Sequence, residues 1–127
     1  MFKLLVGVVL AAALSFAAKP VSAAPSISLI ESDPHLGGVV HFNWDDGGLK
    51  GNKNPRIQVV CSDTPGHVIY GESQDAVGHA FTLGGSSSPW LNEFPGPADC
   101  VATLYYWDFH PVQTFIPLAE VSFHAEG

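Results

Sequence analysis

His35, His41, His67, His79, His110 and His124 are the side chains of this chain best suited to hold a metal. On a strand, useful ligand pairs sit at i and i+2, because alternate residues share a face. No H-x-H, H-x-x-H or H-x-x-x-H occurs, so ligands would have to converge through the fold alone. Blue copper is poorly served, since the only methionine is Met1 and the two cysteines have another use. The spacing fits histidines scattered over a surface, which take up protons between about pH 7 and 5. The hydroxyl cluster Ser86-Ser87-Ser88 lacks both G-x-S-x-G and a strand–turn–helix frame. Asp45-Asp46-Gly47-Gly48 is a fragment of a calcium loop at best, and turn chemistry accounts for it. No phosphate-cradling G-x-x-x-x-G-K appears. These absences predict a protein that is not an enzyme, with no cofactor and no assigned metal ligands; a histidine-based metal-binding protein is the further alternative, its ligands brought together by the fold.

Cys61 and Cys100 are the only cysteines, and a disulfide between them is the default in an oxidising compartment. The remaining candidates are aromatic. Tyr105-Tyr106-Trp107-Asp108-Phe109-His110-Pro111 ends one strand and enters a hairpin, and Trp90 and Phe94 sit in a long loop. With Tyr106 facing the core, Tyr105 and Trp107 point outward. Exposed Trp and Tyr anchor protein interfaces and also form stacking platforms for sugars. Two readings follow. In one, Trp107, Asp108, Phe109, His110, Tyr105, Trp90 and Phe94 contact a protein or cell-envelope partner. In the other they bind a glycan, with Asp108, Asn92 and Gln113 as polar partners. Against both, Trp90, Leu91 and Phe94 can instead fold back and cap the core.

The elements that must position these residues are strands, for period-two alternation recurs and helical periodicity does not. Seven are predicted: Ser26–Glu31, then Val40-Phe42-Trp44, Ile57-Val59-Cys61, Val68-Tyr70 after the Asp63-Thr64-Pro65-Gly66 turn, Phe81-Leu83, Cys100-Ala102-Leu104-Tyr106, and Phe115-Ala119-Val121-Phe123. Separated by Gly, Pro and Asn/Asp clusters, they read as an all-β, seven-stranded antiparallel sandwich. Pro117 makes the last strand an edge, or bulged there.

This layout resembles the immunoglobulin-like sandwiches, and among them fibronectin type III modules. Trp44 on the second strand matches the core Trp of that pattern, and Pro95-Gly96 precedes the sixth strand, Cys100-Val101-Ala102-Thr103-Leu104-Tyr105-Tyr106. The usual core Tyr of the pattern would fall at Asp99 or Cys100, and neither is Tyr. The order Trp44, Cys61, Cys100 differs from the Cys, Trp, Cys of antibody domains. The resemblance therefore implies a disulfide joining strands three and six of one sheet. It also implies binding through the loop from Asp108 to Thr114, although no R-G-D is present.

The start of the chain is predicted to be an address. Met1-Phe2-Lys3, the apolar run from Leu4 to Ala18, and Val21-Ser22-Ala23 have the plan of a secretory signal peptide, residues 1–23, cleaved ahead of Ala24. Residues 24–127 then form one domain with no second run able to span a bilayer. The mature protein is expected to be secreted, extracellular or, in a bacterium, in the periplasm or envelope. It keeps Lys50, Lys53 and Arg56 against twelve acids, a net charge of −9 in 104 residues. That field disfavours nucleic acid and anionic membranes. The three bases, in Leu49–Arg56, read as a solvated loop.

Overall fold

A computed structural model describes residues 24–49, 53–78, 80–84 and 97–127. The expected signal segment, Lys50, His79, Ser86–Ser88, Trp90, Asn92, Phe94 and Pro95-Gly96 lie outside the described residues. Within them every regular element is a strand: β1 Ser26–Leu29, β2 Val39–Val40, β3 Phe42–Asp45, β4 Arg56–Thr64, β5 His67–Asp75, β6 Phe81–Thr82, β7 Ala98–Asp108 and β8 Thr114–Ala125. All strand pairs are antiparallel. They form one four-stranded sheet in the order β5-β4-β7-β8 and two small ones, β1-β3 and β2-β6.

Eight strands appear where seven are predicted, because the second divides at His41. The alternation of Val40, Phe42 and Trp44 runs through it, but the partner changes from β6 to β1. The core lies on one face of the large sheet. Ile57, Val59 and Cys61 of β4 and Cys100, Ala102 and Leu104 of β7 pack with Ile27, Val40, Phe42 and Phe81 of the small sheets. The Phe42 ring meets Phe81 edge-on at 5.8 Å. Trp44 leans on this core half-buried, and its indole N–H donates to the Ala76 carbonyl at 3.2 Å.

Cys61 and Cys100 are register partners in the two central strands and are joined by a disulfide. Their Cα atoms are 4.0 Å apart, the close approach of a non-hydrogen-bonded cross-strand pair. The β4–β5 hairpin turns on Pro65-Gly66, with Gly66 at φ 81°, where Pro supplies the first corner and Gly the positive φ of the second. Register shifts at Cys61/Ser62 and Ser62/Thr64 leave Ile69 buried and turn Val68 outward, against the predicted inward Val68.

Both edges of the large sheet are blunted. On β8, Pro117 sits beside a bulge, as its missing N–H requires, and Pro34 and Leu36 bond to Glu126 at the far end. On β5, Glu72 shares the core face with Tyr70 and Gln74, and both donate to its carboxylate. Burial, followed by that carboxylate, pushes the Tyr70 phenol far above its ordinary range. An inward charge of this kind opposes the docking of another strand.

Candidate functional site

The bulge in β8 decides the chemistry of the opposite face. Leu104 pairs with Ala119 but Tyr105 pairs with Pro117, so Leu118 has no partner. One extra residue reverses which side the following residues occupy. Phe115 therefore leaves the face of Ala119, Val121 and Phe123, where the alternation placed it, and joins Tyr105 and Trp107 on the outer face. Its ring stacks on Tyr105 at 4.3 Å, and Trp107 stands nearly perpendicular to both at 5.8 and 5.6 Å.

Tyr105 points away from the core as predicted but is only 2% exposed. It is therefore a support and not a contact surface. Its hydroxyl oxygen accepts from Arg56 Nε at 3.2 Å, and Arg56 Nη1 donates to Asp75 at 2.7 Å. Tyr106 keeps the core-side parity but is half-buried at the sheet end, with Lys53 Nζ 5.3 Å from its ring centroid.

Antiparallel order brings the start of β4, the ends of β5 and β7 and the start of β8 to one end of the sheet. A cleft of about 370 Å³ opens there. Trp107, Asp108, Phe109 and His110, all singled out from the sequence, line one side. Lys53, Asn54, Arg56 and Asp75 line the rest. Asp108 accepts from the His110 backbone N–H at 3.1 Å, which fixes its carboxylate. Among the described residues Lys53 and Arg56 are the only Lys or Arg, and both line the cleft: Lys53 is exposed in the loop ahead of β4, as expected, while Arg56 is the first residue of the strand. The β7–β8 hairpin leaves Phe109, which lines the cleft, 60% exposed and Val112, beyond it, 67% exposed.

The second wall was readable by counting. A two-residue turn at Pro65-Gly66 puts Arg56 opposite Asp75, and aligning Cys61 with Cys100 puts Arg56 opposite Tyr105.

Asp45 and Asp46 accept from the Gly47 and Gly48 N–H groups at 2.8 and 2.9 Å, the turn chemistry expected of them. Among the described residues no group of three His, Cys, Asp or Glu is placed to hold a metal ion. The five described histidines each face a carboxylate instead: His35 with Asp33, His41 with Glu31, His67 with Asp63, His110 with Asp108, and His124 with Asp99 and Glu126.

These pairs give stability a pH dependence. Asp33 hydrogen-bonded to His35, and Asp99 hydrogen-bonded to His124, raise both imidazoles above their ordinary 6.5. Their contribution is present below about pH 6.5 and is lost as pH rises through the folded values. His67 lowers Asp63 below 3.8; at Glu31 desolvation is the largest effect and raises the carboxyl, but the hydrogen bonds from His41 outweigh it and hold it below 4.5. That contribution is present at higher pH and is lost as pH falls through the folded carboxylate values. The melting temperature should peak between about pH 5 and 6 and decline slightly toward 8. His35→Gln with His124→Gln should flatten the decline above pH 6. A melting temperature that rises from pH 6 to 8 contradicts this assignment.

Comparison with protein-family models, with curated proteins and with solved structures finds no match for this chain.

Proposed function

We propose that this chain is an exported, non-catalytic binding module that contacts a protein or cell-envelope partner through the β7–β8 end of its large sheet. The observation that carries the reading is the joining there of a braced indole, an exposed apolar hairpin tip and both described basic side chains. Large apolar side chains held in water at a rigid tip are what a partner's pocket covers. An immunoglobulin-like or fibronectin type III-like sandwich is the fold we assign. Its support is the division of strands, β4, β5, β7 and β8 on one side of the core and β1, β2, β3 and β6 on the other.

The test starts from the mature protein purified from its own source, with the native mass of what accompanies it. Phe109→Ala should weaken that association by about 2 kcal/mol, with an unchanged melt because the ring is mostly in water. Trp107→Ala should weaken it at least as much, and should also lower the melting temperature through lost packing on Tyr105 and Phe115. A partner that holds both variants as tightly as the unaltered protein removes this end from the interface. A protein that always travels alone removes the tight-partner reading.

A further inference from the structure

We infer that the cleft between Trp107 and Arg56 is a subsite for a neutral sugar ring of a glycan chain, an assignment that rests on this end being the binding end. Three features select that ligand class. The first is charge balance: the lining carries two bases, Lys53 and Arg56, with two acids, Asp75 and Asp108, and Arg56 is already ion-paired with Asp75. An anion entering meets two carboxylates and a cation meets two bases, so neither gains much. A hydroxyl, by contrast, both donates and accepts, and can satisfy a carboxylate with its hydrogen and a guanidinium or ammonium with its oxygen.

The second feature is the pairing of flat apolar groups with planar polar ones. Trp107 and Phe109 supply the apolar surface that the C–H face of a pyranose covers. The Asn54 amide, the Arg56 Nη2, and the second carboxylate oxygens of Asp75 and Asp108 are the polar atoms not used by the internal bonds of Arg56, Asp75 and Asp108, and hydroxyls of a sugar can pair with them. At about 370 Å³ the cleft is near the lower bound for small-molecule sites, room for one or two rings and not for a folded partner.

Pre-organisation is the third. Arg56 is tied to Tyr105 at 3.2 Å and to Asp75 at 2.7 Å. Trp107 is braced by two aromatic rings, and Asp108 is held by the His110 N–H. Weak polar ligands need sites that lose little freedom on binding. The long-range field points the same way, since a surface of net charge −9 repels acidic polysaccharides before they arrive.

The experiment titrates the mature, disulfide-bonded protein with neutral trisaccharides of β1,4-glucose, α1,4-glucose, N-acetylglucosamine, xylose and mannose, with trigalacturonate as the anionic comparison. Tryptophan fluorescence and the Trp107 indole N–H resonance report binding. At least one neutral trisaccharide should bind with a Kd of about 0.1–10 mM and move that resonance. Trp107→Ala and the surface change Asn54→Ala should each raise the Kd tenfold or more. Three outcomes overturn the inference: no response to any neutral trisaccharide at 20-fold the upper end of the range in a saturable assay (about 200 mM), binding that survives both variants, or tighter binding of trigalacturonate. If sugars are silent while Phe109→Ala still releases a protein partner, the glycan assignment fails and the binding end stands. If neither is observed, both fail.

Discussion

Removing the disulfide, as Cys61→Ala with Cys100→Ala, is expected to lower the unfolding free energy by about 4 kcal/mol. The bond closes a loop with a sequence separation of 39, and the chain-entropy model assigns that much to such a loop. Both half-cystines are essentially without solvent contact, so the variant also leaves a small void between the central strands β4 and β7. Against a total of about 5–15 kcal/mol for domains of this kind, the loss is a large fraction of what keeps the chain folded. Urea unfolding checks it. The midpoint should fall sharply, and the slope should rise, because an unfolded chain without the bridge exposes more surface. A loss below about 1 kcal/mol means that the folded sheet bears strain at the bridge or that the reduced chain stays compact.

Phe81→Ala should cost about 3–5 kcal/mol. Phe81 lies on a strand of two residues, has 0% exposure and carries one ring of the Phe42–Phe81 edge contact. So short a strand contributes little ladder of its own, and the Phe81 ring, with Val40 of the paired β2, fastens the two to the core. The surroundings can collapse only partly around the void, because the neighbouring strands are held by the large sheet and the disulfide. The melting temperature should fall by about 15 °C or more. Val77→Ala, at a position 68% exposed, serves as the comparison and should cost less than about 0.5 kcal/mol. If Phe81→Ala costs no more than Val77→Ala, β6 does not belong to the cooperative core.

The strands were legible because burial on one face writes itself as alternation, and β7 shows it from Ala98 through Leu104. What alternation cannot carry is the insertion of one residue. Leu118 has an ordinary side chain for a strand, and only the pairing of Leu104 and Tyr105 with their partners exposes it as the bulge. Phe115 changes face in consequence, and with it the brace behind Trp107. The division at His41 was hidden for a similar reason, since side-chain parity is continuous where the hydrogen-bonding partner is not. On the candidate site, Trp107 to His110 were found by residue type, while Lys53, Asn54, Arg56 and Asp75 depended on register. Turn length and the cysteine pair hold that register, which residue type alone does not reveal.

The cross-strand bridge also sets how the protein answers to force. A pull transmitted along the chain enters through β1 and leaves through β8, and crosses from β4 to β7 through the sulfur–sulfur bond. The residues between Cys61 and Cys100 carry no tension while that bond is intact. About 130 Å of contour, the 39-residue separation at roughly 3.4 Å per residue, is withheld from extension. A module anchored to a surface at one end and gripped at its hairpin by a partner would stretch as a shorter tether, and release the bridged length only after reduction.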